Sequence, residues 1–556
     1  MNRLSFQTRT RSDAGASSFW PWLLALAVLW FGNIQYRVLT NPDEGRYAEI
    51  PREMLASGDW LAPHLNGIQY LEKPPLQYWG TASLFAALGN DIWVSRLWTA
   101  GLGFCLLGII WRAGRRWYDE AAGRYAALIL GSSLLFYSLA HVNTLDMGLT
   151  FFMTTALVAF IDAQRAPQRR RLLWVTWCML GLAVLQKGLV GLVLPGFALA
   201  LYVLIQRDWA LLRRLGLISG ILIVLAINLP WWWLMQKRNA GFFDWFFVHE
   251  HYTRFTTNEH GRSQPWWYFS ALLLLGLLPW LEPVARGVVT GWRRQTAGLS
   301  AERFLILWAA AIFIFYSPSG SKLAPYILPM LPPLALLAGR ELARASAPDR
   351  ALRSSLILAS LMAMGLVLMP WIRTHLQVPG ERAAGYTEIA QWGLVGGLAL
   401  GAAVIGSAWL LRPASHATGT AVGVLATGLV AALALLSNGS NAIERWRGTA
   451  QIVAAVRDHS DAVSPLFCVD MYPQSAIYLL GRTCVVVGDH GELETQFDDG
   501  DSNYLPGLDE FIAAWHREER PVAIIDASTW QRLQTQSLPA TVAFENSTTV
   551  VIVKRS

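Results

Sequence analysis

Runs of about 20 mostly apolar residues, each long enough to cross a hydrocarbon core of about 30 Å as a helix, recur along this sequence from Trp20 to about Leu436. In lipid, only helices and closed barrels satisfy their own backbone groups, so a chain written this way folds as a bundle of membrane-crossing helices. The apolar windows predict about thirteen spans, at 20–34, 94–111, 121–140, 146–163, 172–186, 188–206, 215–236, 266–284, 303–317, 324–339, 354–373, 391–411 and 418–436. A composition of 54% hydrophobic and 15% charged residues agrees with that class and not with a soluble domain.

The formal charge of +7 would suit a nucleic-acid partner if it were clustered, but its distribution is topological. Arg3, Arg9 and Arg11 precede the first span. Arg112, Arg115, Arg116, Arg165, Arg169, Arg170, Arg171, Arg207, Arg213 and Arg214 fall in every second loop after it, as do Arg286, Arg293, Arg294, Arg340, Arg344, Arg350 and Arg353. Such loops stay in the cytoplasm, and an odd number of spans then places the C-terminal segment outside. The partner implied is membrane lipid, not nucleic acid. The arginines and apolar stretch at the start read as a retained signal anchor, because no small-residue cleavage site follows at 33–36.

Two domains are expected, a transmembrane domain over 1–437 and a small α/β domain over 438–556. In the second, short apolar runs at 465–469, 483–487, 521–525 and 550–553 alternate with helical patterns at 443–458 and 508–515. No Gly-rich nucleotide fingerprint opens those helices. Cys468 and Cys484 fall on two of the predicted strands, where an oxidising compartment would permit a disulfide. Cys105 and Cys178 lie inside spans as packing residues.

The cytoplasmic loops are short and Arg-rich whereas the outer ones are longer and chemically varied, so the chemistry is expected outside. The first outer loop, 32–93, is the longest connection between spans, and long ordered loops are usually functional. Within it Tyr47, Ile50, Met54 and Leu55 repeat at helical spacing opposite Arg46, Glu49, Arg52 and Glu53, predicting a helix laid on the membrane surface. A soluble helix packed on another loop is the alternative. Asp43 and Glu44 stand where that helix starts and suit its dipole whatever else they do. Successive helical residues point about 100° apart, so one of the two faces any common site, and Asp43 is the candidate.

Asp146 lies at the outer mouth of a span, where a carboxylate is costly unless it has a partner or caps the helix. Lys187 occupies the tight turn Gln186-Lys187-Gly188, and Lys73 belongs to the stiff segment Glu72-Lys73-Pro74-Pro75. Arg254, Lys322 and Tyr326 extend the set. A single Lys at a membrane edge snorkels, but several cations around outer carboxylates suit phosphate groups. Glu72, His249, Glu250 and His251 are side chains of the type that hold zinc, and their spacing does not separate metal ligands from ordinary polar loop residues.

The stretch Asp43-Glu44-Gly45-Arg46-Tyr47-Ala48-Glu49-Ile50, continuing through Arg52-Glu53-Met54-Leu55 to Tyr70-Leu71-Glu72-Lys73-Pro74, closely resembles the aminoarabinose lipid A transferases. These belong with the protein O-mannosyltransferases and oligosaccharyltransferases. Glu250-His251, Arg254-Phe255, Pro265-Trp266-Trp267-Tyr268 and the run from Lys322 to Leu328 fit the same pattern, and the resemblance covers roughly the first 340 residues. It departs at Gln186, where the family often has a threonine.

The resemblance implies a mainly α, polytopic glycosyltransferase of the GT-C type with a periplasmic α/β domain, in a bacterial inner membrane. It implies transfer of 4-amino-4-deoxy-L-arabinose from undecaprenyl phosphate to lipid A phosphate with inversion, and polymyxin resistance, because the added amine masks negative charge. It maps the acidic catalytic residues onto Asp43 and Asp146. Substrate and phosphate contacts are then expected from Arg46, Tyr70, Lys73, Lys187, Arg254, Lys322 and Tyr326. No cofactor is required, with a zinc ion at the outer loops kept as a separate expectation. Two other readings remain: a transferase of the same architecture acting on protein or another glycan, with Asp43 as a true base, and a transporter or lipid flippase. The latter is disfavoured because the sequence has no inverted internal symmetry.

Overall fold

A computed structural model describes residues 19–166, 171–247, 263–294, 298–345, 348–378, 380–412, 417–461, 463–488, 503–536 and 538–555. Helices occupy every predicted apolar segment, among them α1 (Trp20–Gly32), α4 (Ile92–Trp117), α5 (Glu120–Ser132), α6 (Leu134–Ala140), α7 (Leu145–Arg165), α8 (Arg171–Lys187) and α9 (Val190–Gln206). They are not uniform spans. Among the described residues, five helices are long and apolar enough to cross a membrane, or up to seven if each of two bent pairs is one span.

The departures from the expected count coincide with prolines and hydroxyls. The predicted segment 266–284 is two helices, Tyr268–Gly276 and Leu281–Arg293, bent by 108° with Pro279 in the break. The segment 354–373 bends by 50° where Pro370 opens the helix Met369–His375. Segment 324–339 begins as a 3-10 helix, Ala324–Met330, carrying Pro325 and Pro329. Segment 121–140 divides at Ser133, which leaves the helical region (ψ 130°) while its hydroxyl donates to the Ile129 carbonyl. Helix α7 runs through the centre, 89% of its apolar window buried by neighbours on every side.

The first outer loop folds as α2 (Asp43–Ser57), the hairpin β1 (His64–Leu65) and β2 (Ile68–Gln69), and α3 (Leu76–Leu88). The helix expected over this stretch forms, but it does not lie on the membrane surface. Tyr47, Ile50 and Met54 pack against Leu65, Tyr70, Tyr78 and Leu145, and the polar side is buried as well, at Arg46, Glu49 and Glu53. What covers it is the C-terminal domain. A Cβ at Gly45 would stand 2.5 Å from the Ser475 amide nitrogen, so glycine is what allows that approach.

That domain carries a six-stranded sheet in the order β5-β4-β3-β6-β8-β7, from β3 (Leu466–Val469), β4 (Val485–Val487), β5 (Tyr504–Leu505), β6 (Val522–Asp526), β7 (Ala540–Glu545) and β8 (Thr549–Lys554). The first four strands in that order run parallel, and β8 and β7 add antiparallel. Alternation along β3 feeds two cores. Leu466 and Cys468 face a cluster with Ile452, Val456 and Ile477, while Phe467 and Val469 face Phe511, Trp515 and Trp530. The helical pattern at 443–458 is two helices, parted by Gly448 at φ 77°.

The disulfide that an oxidising compartment would permit is not formed, since Cys468 and Cys484 are both buried free thiols. The parallel register sets Cys468 opposite Val486, which leaves the two sulfurs diagonal neighbours.

Candidate active site

The first turn of α2 resolves the choice between its two acids. The Glu44 carboxylate is fully buried and accepts from Arg96 Nε (2.8 Å) and Nη2 (2.9 Å), from Arg37 (3.1 Å), and from the Thr40 (2.9 Å) and Asn143 (3.1 Å) amides. Arg96 also donates to the Ile34 (3.0 Å) and Val38 (2.8 Å) carbonyls, so one knot fixes the whole entry into the loop. Burial alone would raise the Glu44 pKa, but the Arg37 and Arg96 charges and these hydrogen bonds outweigh it and bring it down to about 2. Glu44 is an anchor with no capacity left for substrate. Asp43 is half-exposed beside it, in an ion pair with Arg46.

Arg46 is buried and lies over the Tyr47 ring at 4.9 Å. Burial opposes its charge, yet the neighbouring Tyr70, Tyr47, Asp43 and Glu72 reverse that and raise its pKa well above the ordinary value. The Tyr70 hydroxyl donates to Glu72 Oε2 at 2.9 Å, and Lys73 Nζ donates to the Glu72 carbonyl at 3.1 Å and stands 3.8 Å from its carboxylate. Asp43, Arg46, Tyr70, Glu72 and Lys73 therefore form one cluster on the outer side of α2.

Across from it, Asp146 in the first turn of α7 is ion-paired with Lys187, the last residue of α8. The Lys187 ammonium sits 5.1 Å over the Tyr326 ring, which stacks on Tyr316 at 4.8 Å. Tyr47 stands between the two clusters: burial pushes its hydroxyl pKa up, and the charges of Asp43 and Glu72 on one side and Asp146 on the other add to that shift. Lys322 is placed differently. Its buried ammonium donates to the Ser319 (2.7 Å) and Gln264 (3.3 Å) carbonyls, tying together the backbone that leads to Tyr326.

Arg254, His249, Glu250 and His251 lie outside the described residues. Of the expected zinc set only Glu72 is seen, engaged by Tyr70, and among the described residues no group of three His, Cys, Asp or Glu side chains could hold a metal ion.

Sequence reasoning missed the residues that hold these clusters in place: Arg37, Arg96, Asn143 and Gln77. One of them carried a signal, since Arg96 is a charge inside an apolar helix and such a charge needs a specific partner.

Residues 452–554 match the family described as aminoarabinose transferase C-terminal domain, and residues 72–234 the dolichyl-phosphate-mannose-protein mannosyltransferase family. The chain is 34% identical over 378 residues to undecaprenyl phosphate-alpha-4-amino-4-deoxy-L-arabinose arabinosyl transferase 1 of Sodalis glossinidius, spanning 64% of this chain and 66% of that protein. The like-named transferase of Edwardsiella ictaluri is 33% identical over 400 residues, 68% of this chain and 72% of that one. The crystal structure of ArnT from Cupriavidus metallidurans bound to undecaprenyl phosphate superposes with a TM-score of 0.89 at 32% identity, over 96% of this chain and 97% of that one. An oligosaccharyltransferase from Archaeoglobus fulgidus, 12% identical with a TM-score of 0.50 over 92% of this chain and 70% of that one, shares the fold alone.

Proposed function

Because the chain belongs to the undecaprenyl phosphate-aminoarabinose arabinosyl transferases, we propose that it moves 4-amino-4-deoxy-L-arabinose from undecaprenyl phosphate onto a phosphate of lipid A. The reaction takes place at the periplasmic face of the inner membrane, where the product's added amine lowers affinity for polymyxin and other cationic peptides. The observation that carries this reading is the pair of charged clusters on either side of Tyr47, a half-exposed carboxylate, Asp43, with the cations Arg46 and Lys73 in one and Lys187 in the other.

A lipid A phosphate oxygen attacks the anomeric carbon, the bond from that carbon to the carrier phosphate breaks, and undecaprenyl phosphate leaves with the electron pair. Lys73 and Lys187 stabilise the charge that grows on the leaving phosphate, joined by Arg254. Lys322, whose ammonium is taken up by carbonyls, holds the Tyr326 segment in place. The acceptor oxygen is already ionised at neutral pH, so no strong base is needed, and Asp43 orients the sugar's amine and hydroxyls. Asp146 fixes Lys187.

Transfer runs on these cations without a metal, and turnover that survives chelation is the expected result. Loss on chelation, restored by zinc, would assign Glu72 and the loop histidines to a metal site instead. The roles are tested by Asp43→Asn and Lys73→Ala in a reconstituted lipid A assay, each expected to lower turnover roughly 100-fold or more. Near-wild-type turnover in both would end the assignment, and sugar appearing on exported protein instead of lipid A would redirect the acceptor.

A further inference from the structure

Behind the two clusters runs a buried chain of side-chain amides that the reaction itself does not use. Gln77 in the first turn of α3 donates from Nε2 to Asn143 Oδ1 (2.9 Å) and to Thr99 Oγ1 (3.2 Å), and accepts at Oε1 from Gln186 Nε2 (2.7 Å). Asn143 in turn donates its backbone amide to Glu44 (3.1 Å) and its side-chain amide to the Tyr47 carbonyl (3.0 Å). Gln186 also donates to the Leu145 carbonyl at 3.3 Å. Gln77, Asn143 and Gln186 are all fully buried.

The sequence positions of the chain's ends give it meaning. Glu44 precedes nothing but α2's body and follows Asp43 directly; Leu145 is followed by Asp146, and Gln186 by Lys187. Each half of the site is therefore one peptide unit away from a member of the chain, and Lys73 lies four residues before the hub on the stiff Pro74-Pro75 segment. Space has been cleared for it, since a Cβ at Gly148 would fall 2.3 Å from Gln186 Nε2. Buried amides in a low-dielectric bundle are costly unless they find partners; the side-chain amides of Gln77 and Asn143 and the Gln186 Nε2 are paired along this chain, which ties α2, α7 and α8 together, while the buried Gln186 Oε1 has no partner among the described residues.

We propose that Gln77 is a positioning residue for sugar transfer, holding Asp43 in register with Asp146 and Lys187 through Asn143 and Gln186. This rests on the transfer reaction proposed above. None of the three amides touches the clusters' charged atoms, so their loss displaces catalytic groups and does not remove a substrate contact. A displacement near 1 Å is enough to cost roughly 100-fold in rate.

The test uses full-length protein in lipid nanodiscs with purified donor and lipid A. Gln77→Met keeps the length of the side chain but removes every hydrogen bond, whereas Gln186→Ala removes only the α8 end and leaves Gln77 bonded to Asn143 and Thr99. The expected result is a fall in kcat of roughly 10- to 100-fold in each, with the KM for donor within about twofold of wild type. The double variant should be little worse than Gln77→Met alone, because both act on one chain. If Gln77→Met fails to fold, Gln186→Ala decides by itself. Wild-type kcat in Gln186→Ala, or losses in the two variants that simply multiply, would overturn the proposal while leaving the reaction standing. A wild-type chain that moved no sugar would instead overturn the functional reading, and this one with it.

Discussion

The two ends of α2 carry buried glutamates in opposite electrostatic states. At its start Glu44 lies between Arg37 and Arg96 and is held ionised, its pKa down to about 2. Near its end Glu53 is buried beside Glu49, and burial followed by that like charge raises its pKa. Two backbone amides, Asn66 (2.6 Å) and Gly67 (2.8 Å), donate to Glu53 but do not reverse the shift, and Arg52 is spent on Glu49 at 2.6 Å. The contrast teaches that burial does not decide whether a carboxylate here is an anchor or a strained group; the number of guanidinium partners does.

The largest expected effect comes from breaking the first end. Glu44→Gln leaves Arg96, itself only 1% exposed, buried without its counter-charge, and removing one partner of such a pair costs roughly 3–5 kcal/mol. Thermal unfolding in detergent should fall far more for Glu44→Gln than for Glu53→Gln, and equal losses would erase the distinction drawn between the two ends.

A second, smaller effect has a sign that depends on pH. Glu44 has a depressed folded-state pKa, so its contribution is complete above the unfolded value near 4.5 and is lost only as pH falls toward about 2. Glu53 has a raised one, so the fold favours its protonated form, and stability declines as pH rises above about 4.5 through the raised value. Between about pH 5 and 8 Glu44 is therefore constant, but His141 and His64, whose pKa values burial lowers, gain stability as pH rises, and Glu444, whose pKa burial raises, loses it, so Glu53 is read from the difference between wild type and Glu53→Gln. Wild type should lose on the order of 1–3 kcal/mol relative to Glu53→Gln across that range. A difference that stays constant or grows in favour of wild type as pH rises would break the assignment.

How legible this was depended on what kind of information each feature needs. Apolar length alone placed a helix in each predicted segment, because lipid imposes one rule on the backbone, yet it could not tell a straight span from a bent one. The 108° break at Pro279 is a matter of how neighbours accommodate a missing donor. Periodicity gave α2 correctly but not its surroundings. A helix with Tyr47, Ile50 and Met54 on one side reads as half-exposed, and only the docking of Tyr472 and Ser475, more than 400 positions away, buries its polar face. Asp43, Lys73, Asp146 and Lys187 were legible as charges placed at membrane edges or in stiff turns. The amides that set their spacing were not, since Gln77, Asn143 and Gln186 are unremarkable by type and acquire a role only through partners 41 to 109 residues distant.

The smallest effect tests the joint that the far end of α2 shares with the C-terminal domain. Asn66 holds the tip of the hairpin at φ 60°, a left-handed position that asparagine tolerates better than most residues. Its side chain donates to the Cys484 carbonyl and accepts from the Cys484 amide, both at 2.8 Å, pairing the residue just before β4 as a further strand would. Asn66→Ala loses both bonds and leaves two buried backbone groups unpaired, while Asn66→Gly does the same but relieves the backbone. The expected losses are about 2–3 kcal/mol for alanine and somewhat less for glycine. Both should lower the melting temperature and expose the boundary between the domains to protease before the membrane bundle unfolds, while Glu44→Gln should unfold the two together. If Asn66→Ala instead melted the bundle as completely as Glu44→Gln, the two ends of α2 would belong to one cooperative unit, and the far end could not be treated as a separable joint.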